Sequence, residues 1–187
     1  MKRLAIPLLL LFAACGHDKS GKNYNKHDTV FTTQNTTKVI TPVVKATDPV
    51  ASIRQRVERI NTSNFAKKHF EFMCDEKTKV DYLYENKQPV KVSIDYGWVG
   101  DAHAIEDYYF DNGQLIFFYE FVEGGPACEG CIKTNEYRSY IVDNKVIKYL
   151  KNKTQEKCKR CEFGSVSKPY KMLTINTAEG AKSALCN

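Results

Sequence analysis

Two pairs of cysteines in this sequence have a spacing that would allow them to bind a metal ion or to form a disulfide. They are Cys128-Glu-Gly-Cys131 and Cys158-Lys-Arg-Cys161, and each pair is separated by two residues. Four thiolates on two short turns can hold a tetrahedral zinc ion. A single pair at a helix N-terminus can act as a redox dithiol, and in an exported protein the same residues form structural disulfides. The sequence therefore leaves three possibilities: disulfides, a zinc site and a thiol oxidoreductase.

The N-terminal segment predicts the compartment in which these cysteines lie. Lys2 and Arg3 form a short positive region, an apolar run extends from Leu4 to Phe12, and two alanines stand directly before Cys15. This pattern is typical of a secretory signal, and a cysteine at the cleavage point resembles a bacterial lipoprotein signal. The apolar run is too short for a transmembrane helix, which needs about 20 residues. We therefore expect cleavage after residue 14 and a diacylglycerol on the sulfur of Cys15.

Lipidation of Cys15 would leave an even number of cysteines. The chain has seven, and Cys74 and Cys186 remain beside the two C-x-x-C pairs. An even number in an oxidising compartment favours disulfides, with Cys74 and Cys186 as the simplest third pair. The pairing among the other four stays open, because three connectivities are possible. Zinc held by those four cysteines is the alternative, and the sequence predicts no other cofactor.

Composition divides the chain into three parts. Residues 1–14 form the predicted leader, and residues 15–47 form the lipidated N-terminus and a tether rich in Thr, Asn and Lys. That stretch has few apolar residues and no sustained period, which is typical of disorder. Residues 48–187 form one predicted domain. Most of the formal charge of +6 falls in the leader and the tether, so the domain lacks the basic surface that nucleic-acid binding requires.

An amphipathic helix should open this domain. Asp48 is a good N-cap and Pro49 suits the first helical position. Apolar residues then recur at intervals of three or four, as expected for one helix face: Val50, Ile53, Val57 and Ile60. A second, short helix is expected at 177–185.

Three similar segments predict successive β-hairpins. Each is an aromatic or aliphatic run that reaches a turn containing Asn86, Asn112 or Asn144 and then continues as a second apolar run. Asp111-Asn112-Gly113 is the strongest hairpin signal of the three. The expected fold is α+β, with the N-terminal amphipathic helix packed on a twisted antiparallel β-meander of about six or seven strands. The predicted strands are 69–74, 79–84, 89–96, 104–110, 115–122, 135–142 and 145–155.

The aromatic hairpins also carry a resemblance. The segments YYFDNGQLIFFYEF and EYRSYIVDNKVIKYL, preceded by a short helix, resemble a group of uncharacterised Gram-negative lipoproteins over about residues 50–150. The resemblance implies a fold and an envelope location, and no activity. The two C-x-x-C pairs lie outside the similar pattern.

The meander makes a prediction about where the cysteines meet. Alternate turns of an up-and-down sheet lie at opposite ends, so both C-x-x-C pairs should converge at one end together with Cys74. Three further residues should lie at the same end and could form a rim that binds a partner: Trp98, Asp101 and His103.

These features favour a non-enzymatic protein of the bacterial cell envelope. We expect a binding or structural module held to the membrane, most simply the outer membrane, by the lipid on Cys15. Its partner would be a protein or another envelope ligand, and no catalytic or metal-binding residue is assigned. The alternatives are a periplasmic inhibitor or immunity-type protein that uses a protruding loop at 123–134, and a thiol oxidoreductase that uses a C-x-x-C pair.

Overall fold

A single antiparallel sheet forms the centre of the fold. The structure is a computed structural model that describes residues 48–186, so the predicted leader, Cys15 and the tether lie outside the described residues. Each of eight strands pairs with the next along the chain: β1 (Ala66–Met73), β2 (Lys77–Glu85), β3 (Gln88–Val99), β4 (Ala102–Asp111), β5 (Gln114–Gly124), β6 (Lys133–Val142), β7 (Lys145–Lys151) and β8 (Thr154–Gln155). Three helices complete it: α1 (Pro49–Thr62), α2 (Lys168–Thr174) and α3 (Ala178–Leu185). The predicted α+β class and the meander are confirmed.

Helix α1 begins at the expected cap. The carboxylate of Asp48 accepts the N–H of Val50 at 3.0 Å, and Pro49 occupies the start of the first turn. Ile53 and Ile60 are buried on one side of the helix. They pack with aromatic and aliphatic residues of one sheet face, among them Val90, Tyr109, Phe117, Tyr140 and Leu150. This face is called the α1 face below.

The three repeated segments share a turn and a bulge. Their central residues have positive φ, which suits the type I′ turns of two-residue hairpin loops: Asn86 and Lys87, Asn112 and Gly113, and Asp143 and Asn144. In each hairpin the register shifts by one residue just before the turn, after Leu83, Tyr109 and Tyr140. A bulge of this kind sharpens the local twist and moves the following side chains to the opposite face. The three similar sequence segments therefore form hairpins with the same type of turn and the same bulge.

A fourth turn corrects the predicted strand count. The segment 145–155 was expected as one strand, but Asn152 and Lys153 have φ of 48° and 70° and divide it into β7 and β8. The sheet consequently has eight strands instead of six or seven. Asn152-Lys153 repeats the dipeptide of the turn at Asn86-Lys87, so the sequence carried the signal for this turn.

The opposite face of the sheet carries α2 and α3 and is called the α2 face below. Its core includes Tyr82, Phe110 and Phe163 from the sheet side, together with Met172 of α2 and Ala181 of α3. The buried hydroxyl of Tyr82 donates to the backbone oxygen of Met172 at 3.0 Å. Helix α3 matches the predicted second helix, whereas α2 was not predicted. None of the described helices is long and apolar enough to cross a bilayer.

Candidate functional site

The six cysteines of the domain pair with one another. Cys74 joins Cys186, Cys128 joins Cys131, and Cys158 joins Cys161. The Cα atoms of the three pairs are 5.1, 5.3 and 5.4 Å apart, within the usual range for disulfides. The third pair suggested by the sequence, Cys74 with Cys186, is the one in the structure. The connectivity left open by the sequence is local, because each C-x-x-C closes on itself.

The prediction that the two C-x-x-C pairs converge is wrong. Cys128 and Cys131 lie in the loop between β5 and β6, at the same end of the sheet as Cys74. The turn at Asn152-Lys153 sends the chain back beside β7, so that Cys161 accepts the N–H of Val146 at 2.8 Å. Cys161 therefore lies near the opposite end, where β7 begins.

This separation bears on the two chemical alternatives for the cysteines. Within residues 48–186 no group of three or more Cys, His, Asp or Glu side chains has the arrangement of a metal site. Neither C-x-x-C opens a helix in the described part of the chain, since β6 begins at Lys133 and α2 begins only at Lys168. A redox dithiol depends on a helix N-terminus or a nearby cation to lower its thiol pKa. Neither pair has the helix N-terminus, whereas Lys159 and Arg160 place two cations between Cys158 and Cys161.

The predicted rim residues do lie together. Trp98 pairs across the strands with His103, and their rings stack with centroids 5.6 Å apart. Asp101 lies in the same β3–β4 turn, but the partner of His103 is Asp95, whose carboxylate is 2.8 Å from the imidazole Nε2. Burial raises the pKa of Asp95, whereas the N–H of Gly97 and the imidazole lower it more, so that the net pKa is below its ordinary value. We call this end the Trp98 tip.

A cleft that the sequence did not predict lies between α1 and the sheet. It has a volume of about 740 Å³ and opens between the later part of α1 and strands β4 to β7. We call it the α1 cleft. Its apolar lining consists of Val57 on the helix and five sheet residues: Tyr109, Phe117, Tyr119, Tyr140 and Leu150. This size and an aromatic lining with a few polar groups are typical of small-molecule sites.

Cross-strand pairing builds the aromatic wall of the α1 cleft. Tyr109 of β4 lies opposite Phe117 of β5, which in turn lies opposite Tyr140 of β6. The ring centroids are 5.5 Å apart in the first pair and 5.0 Å apart in the second. Aromatic pairs at these distances are favourable in tilted and edge-on arrangements. The wall is therefore a continuous surface across three strands.

One residue of the cleft lining, Asp107, forms an ion pair with Lys91. The ammonium of Lys91 is 2.9 Å from Oδ2 of Asp107, and their side chains are only 17% and 13% exposed. Burial would lower the pKa of Lys91, but the charge of Asp107 and the phenol of Tyr109 raise it above its ordinary value. The second oxygen of Asp107, Oδ1, is buried and has no hydrogen-bond partner within the described chain.

Two guanidinium groups lie against the tyrosines of the wall. Nε of Arg54 donates to the hydroxyl of Tyr140 at 3.2 Å, and its guanidinium carbon is 5.4 Å from the ring centroid. Arg138 lies 5.7 Å from the ring of Tyr119 and donates to Glu136 at 2.5 Å. Both contacts are within cation–π range. The cleft therefore combines aromatic surface with positive charge.

A half-buried carboxylate cluster lies on the α2 face, outside the α1 cleft. Glu106 and Glu120 are opposite each other on β4 and β5. Burial, and then the charge of Glu106, raise the pKa of Glu120. Lys168 at the start of α2 bonds Glu106 at 2.9 Å. The adjoining cavity of about 230 Å³ is smaller than a typical ligand site, so we assign the cluster to attaching α2.

Helix α1 is held over the cleft by an acid-sensitive contact. Arg56 bonds Glu85 at 2.6 Å and Asp111 at 3.0 Å, and Arg59 also bonds Glu85. The hydrogen bond from Arg56 is the main reason that the pKa of Glu85 lies below its ordinary value. Glu85 is the last residue of β2 and Asp111 is the last residue of β4, so each stands directly before a hairpin turn.

Acid should therefore weaken the attachment of α1. A carboxyl whose pKa is lowered in the folded state stabilises the fold above its unfolded pKa, about 4.3 for Glu. That contribution is lost as the pH falls through the lower, folded pKa. We expect the free energy of unfolding, measured in urea at steps between neutral pH and about pH 3, to fall less steeply for Glu85→Gln than for the unchanged chain. An unchanged slope would contradict the contact.

No family model, curated protein sequence or solved structure matches this chain.

Proposed function

We propose that this protein is a lipid-anchored, non-enzymatic binding protein of the bacterial cell envelope, and that the α1 cleft is its binding site. The observation that carries the proposal is the cleft itself, with a volume of about 740 Å³. An aromatic wall and two arginines line one concave space there. Such a combination of apolar surface and a few directional polar groups is what a ligand site requires.

The leader supports the location. A positive region, an apolar run and Cys15 together suit a lipoprotein signal. The three cysteine pairs suit an oxidising compartment outside the cytoplasm. Gly16 after the cysteine is compatible with the outer membrane, by resemblance to known lipoproteins.

The Trp98 tip favours a second candidate function, that of an inhibitor or immunity-type protein. Trp98, Val99 and Ile132 are 46%, 47% and 54% exposed, which is unusual for such large apolar side chains at one end of a sheet. Trp98 and Ile132 border a shallow hollow of about 340 Å³. The loop that carries Ile132 is held by the Cys128–Cys131 bond and by a hydrogen bond from Gly125 to the backbone oxygen of Asp101. A tip of this kind suits contact with another protein.

Intact mass under denaturing, non-reducing conditions tests the anchor. The full chain would be expressed in a Gram-negative host and purified from its membranes. We expect a polypeptide that begins at Cys15, carries a diacylglycerol and has lost six hydrogen atoms to three disulfides. A protein without the lipid would contradict the proposed anchor, whatever the state of its cysteines.

Native mass spectrometry tests the cleft. The purified protein would be incubated with a small-molecule extract of bacterial envelopes, and we expect a bound adduct. Val57→Trp fills the cleft and should abolish the adduct. The matched control Val166→Trp, at a position that is 79% exposed, should retain it. An adduct that survives Val57→Trp would contradict the cleft as the site. In a parallel incubation with soluble envelope proteins, a bound protein that is lost only with Trp98→Ala would support the second candidate.

A further inference from the structure

We propose that the α1 cleft selects an amphipathic anion: a flat, apolar body that carries an acidic group. The inference rests on the proposed function, since it names the class of ligand that the cleft would bind. Two separate features of the cleft carry it, one for each part of such a ligand.

The wall accounts for the flat body. Tyr109, Phe117 and Tyr140 form one continuous aromatic surface across three strands. Leu150 and Val57 close this surface on the sheet side and on the helix side. Aromatic rings favour a flat partner, because stacked and edge-on contacts give more than burial alone. A bulky polar ligand would leave this surface without a complementary partner.

The charges of the cleft account for the acidic group. Lys91 is paired with Asp107, and Arg138 is paired with Glu136, so these four groups neutralise one another. Arg54 and Lys153 also line the cleft. Within residues 48–186, neither has a carboxylate within ion-pair distance, and Arg54 bonds the neutral phenol of Tyr140. Glu58 is the remaining acidic residue of the lining, so the positive charge is in excess.

Two dyes with the same skeleton test the selection. Anilinonaphthalene sulfonate has two aromatic units, an N–H donor and a sulfonate, and N-phenyl-1-naphthylamine is the same molecule without the sulfonate. Since every described element lies within residues 48–186, the exported chain from residue 16 onward retains the whole described fold and suffices. We expect the anionic dye to bind about tenfold more tightly, as one charge-assisted hydrogen bond would give.

Variants assign that difference to residues of the cleft. Arg54→Gln and Lys153→Gln should each weaken binding of the anionic dye several-fold and leave binding of the neutral dye unchanged. Lys171→Gln, at an exposed position of α2 outside the cleft lining, should change neither. Equal affinities for the two dyes would overturn the anion preference and leave the binding function intact. Loss of anionic-dye binding in Trp98→Ala would place the dye at the tip and overturn the inference. If neither dye binds, the proposed ligand class is wrong. Whether the cleft binds any ligand is then decided by the native mass spectrometry experiment with Val57→Trp.

Discussion

Replacing Cys74 and Cys186 together by serine should lower the free energy of unfolding by about 4–5 kcal/mol. The two residues are 112 positions apart, and a cross-link that closes so long a loop removes much of the conformational freedom of the unfolded chain. The other two bonds join residues three positions apart. The same relation gives them only about 2 kcal/mol each.

The contacts around the Cys74–Cys186 disulfide also indicate that its removal costs the most stability. Strand β1 is an edge strand, paired only with β2 among the described strands, and α3 is its neighbour from the C-terminal end of the chain. Besides the disulfide, Lys68 of β1 bonds the backbone oxygen of Asn176 at 2.6 Å, just before α3. Without the cross-link, the edge strand and the last helix would be held by this exposed contact and by their apolar packing.

Urea unfolding of three double variants separates these cases. Cys128→Ser with Cys131→Ser, and Cys158→Ser with Cys161→Ser, are the matched controls for the Cys74 and Cys186 pair. All three would be measured without reductant at neutral pH. Equal losses of stability in the three variants would show that loop length does not determine the effect, and would contradict the prediction.

Local signals in the sequence sufficed to predict the hairpins, because a type I′ turn is a property of a few adjacent residues. Asn112-Gly113 and its two counterparts could be read without any tertiary information. The register shifts after Leu83, Tyr109 and Tyr140 could not, since a bulge depends on which residues of the two strands face each other. Those shifts decide which aromatic residues reach the α1 face.

The two largest errors also have physical causes. Helix α2 is seven residues long and contains Pro169, so it shows too few helical turns for a period to be visible. Its stability comes from burial of Met172 against Tyr82 and from the bond between Lys168 and Glu106. The predicted convergence of the C-x-x-C pairs failed at a single unrecognised turn, Asn152-Lys153.

The α1 cleft lay beyond prediction for a different reason. Its lining comes from α1, four strands and the β7–β8 turn, and the feature itself is an empty space. Tyr140 could be predicted as a strand residue from its neighbours. Arg54 of α1 donates to the phenol of Tyr140, which is 86 positions away in the chain. This contact depends on how the helix crosses the sheet, which the sequence does not show.

We expect the segment that carries Cys158 and Cys161 to be anchored more by the buried side chain of Phe163 than by its disulfide. Phe163 is 1% exposed and lies in the core of the α2 face. Its ring meets that of Phe118 edge-on at 6.0 Å, and its backbone N–H donates to Asn144 at 2.9 Å. The disulfide nearby links residues only three positions apart and so restrains little of the chain.

Phe163→Ala should therefore destabilise the fold by about 3–5 kcal/mol, the usual cost of removing a buried aromatic ring. We expect this loss to exceed the one caused by removing Cys158 and Cys161, although both changes affect the same segment. Val166→Ala, three residues further on and 79% exposed, is the control and should change stability by less than about 0.5 kcal/mol.

Hydrogen exchange at one amide locates the effect. The N–H of Val146 donates to Cys161 at 2.8 Å, so its protection reports whether the returning segment stays against β7. Phe163→Ala should accelerate exchange at Val146 more than the double cysteine variant does. The reverse order would show that the short disulfide holds the segment in place and that the ring only fills space.

The distinction matters for the α2 face, because Lys159 and Arg160 of this segment border the cavity beside Glu106 and Glu120. A segment anchored by Phe163 would keep those cations beside the two carboxylates even when the cysteines are reduced.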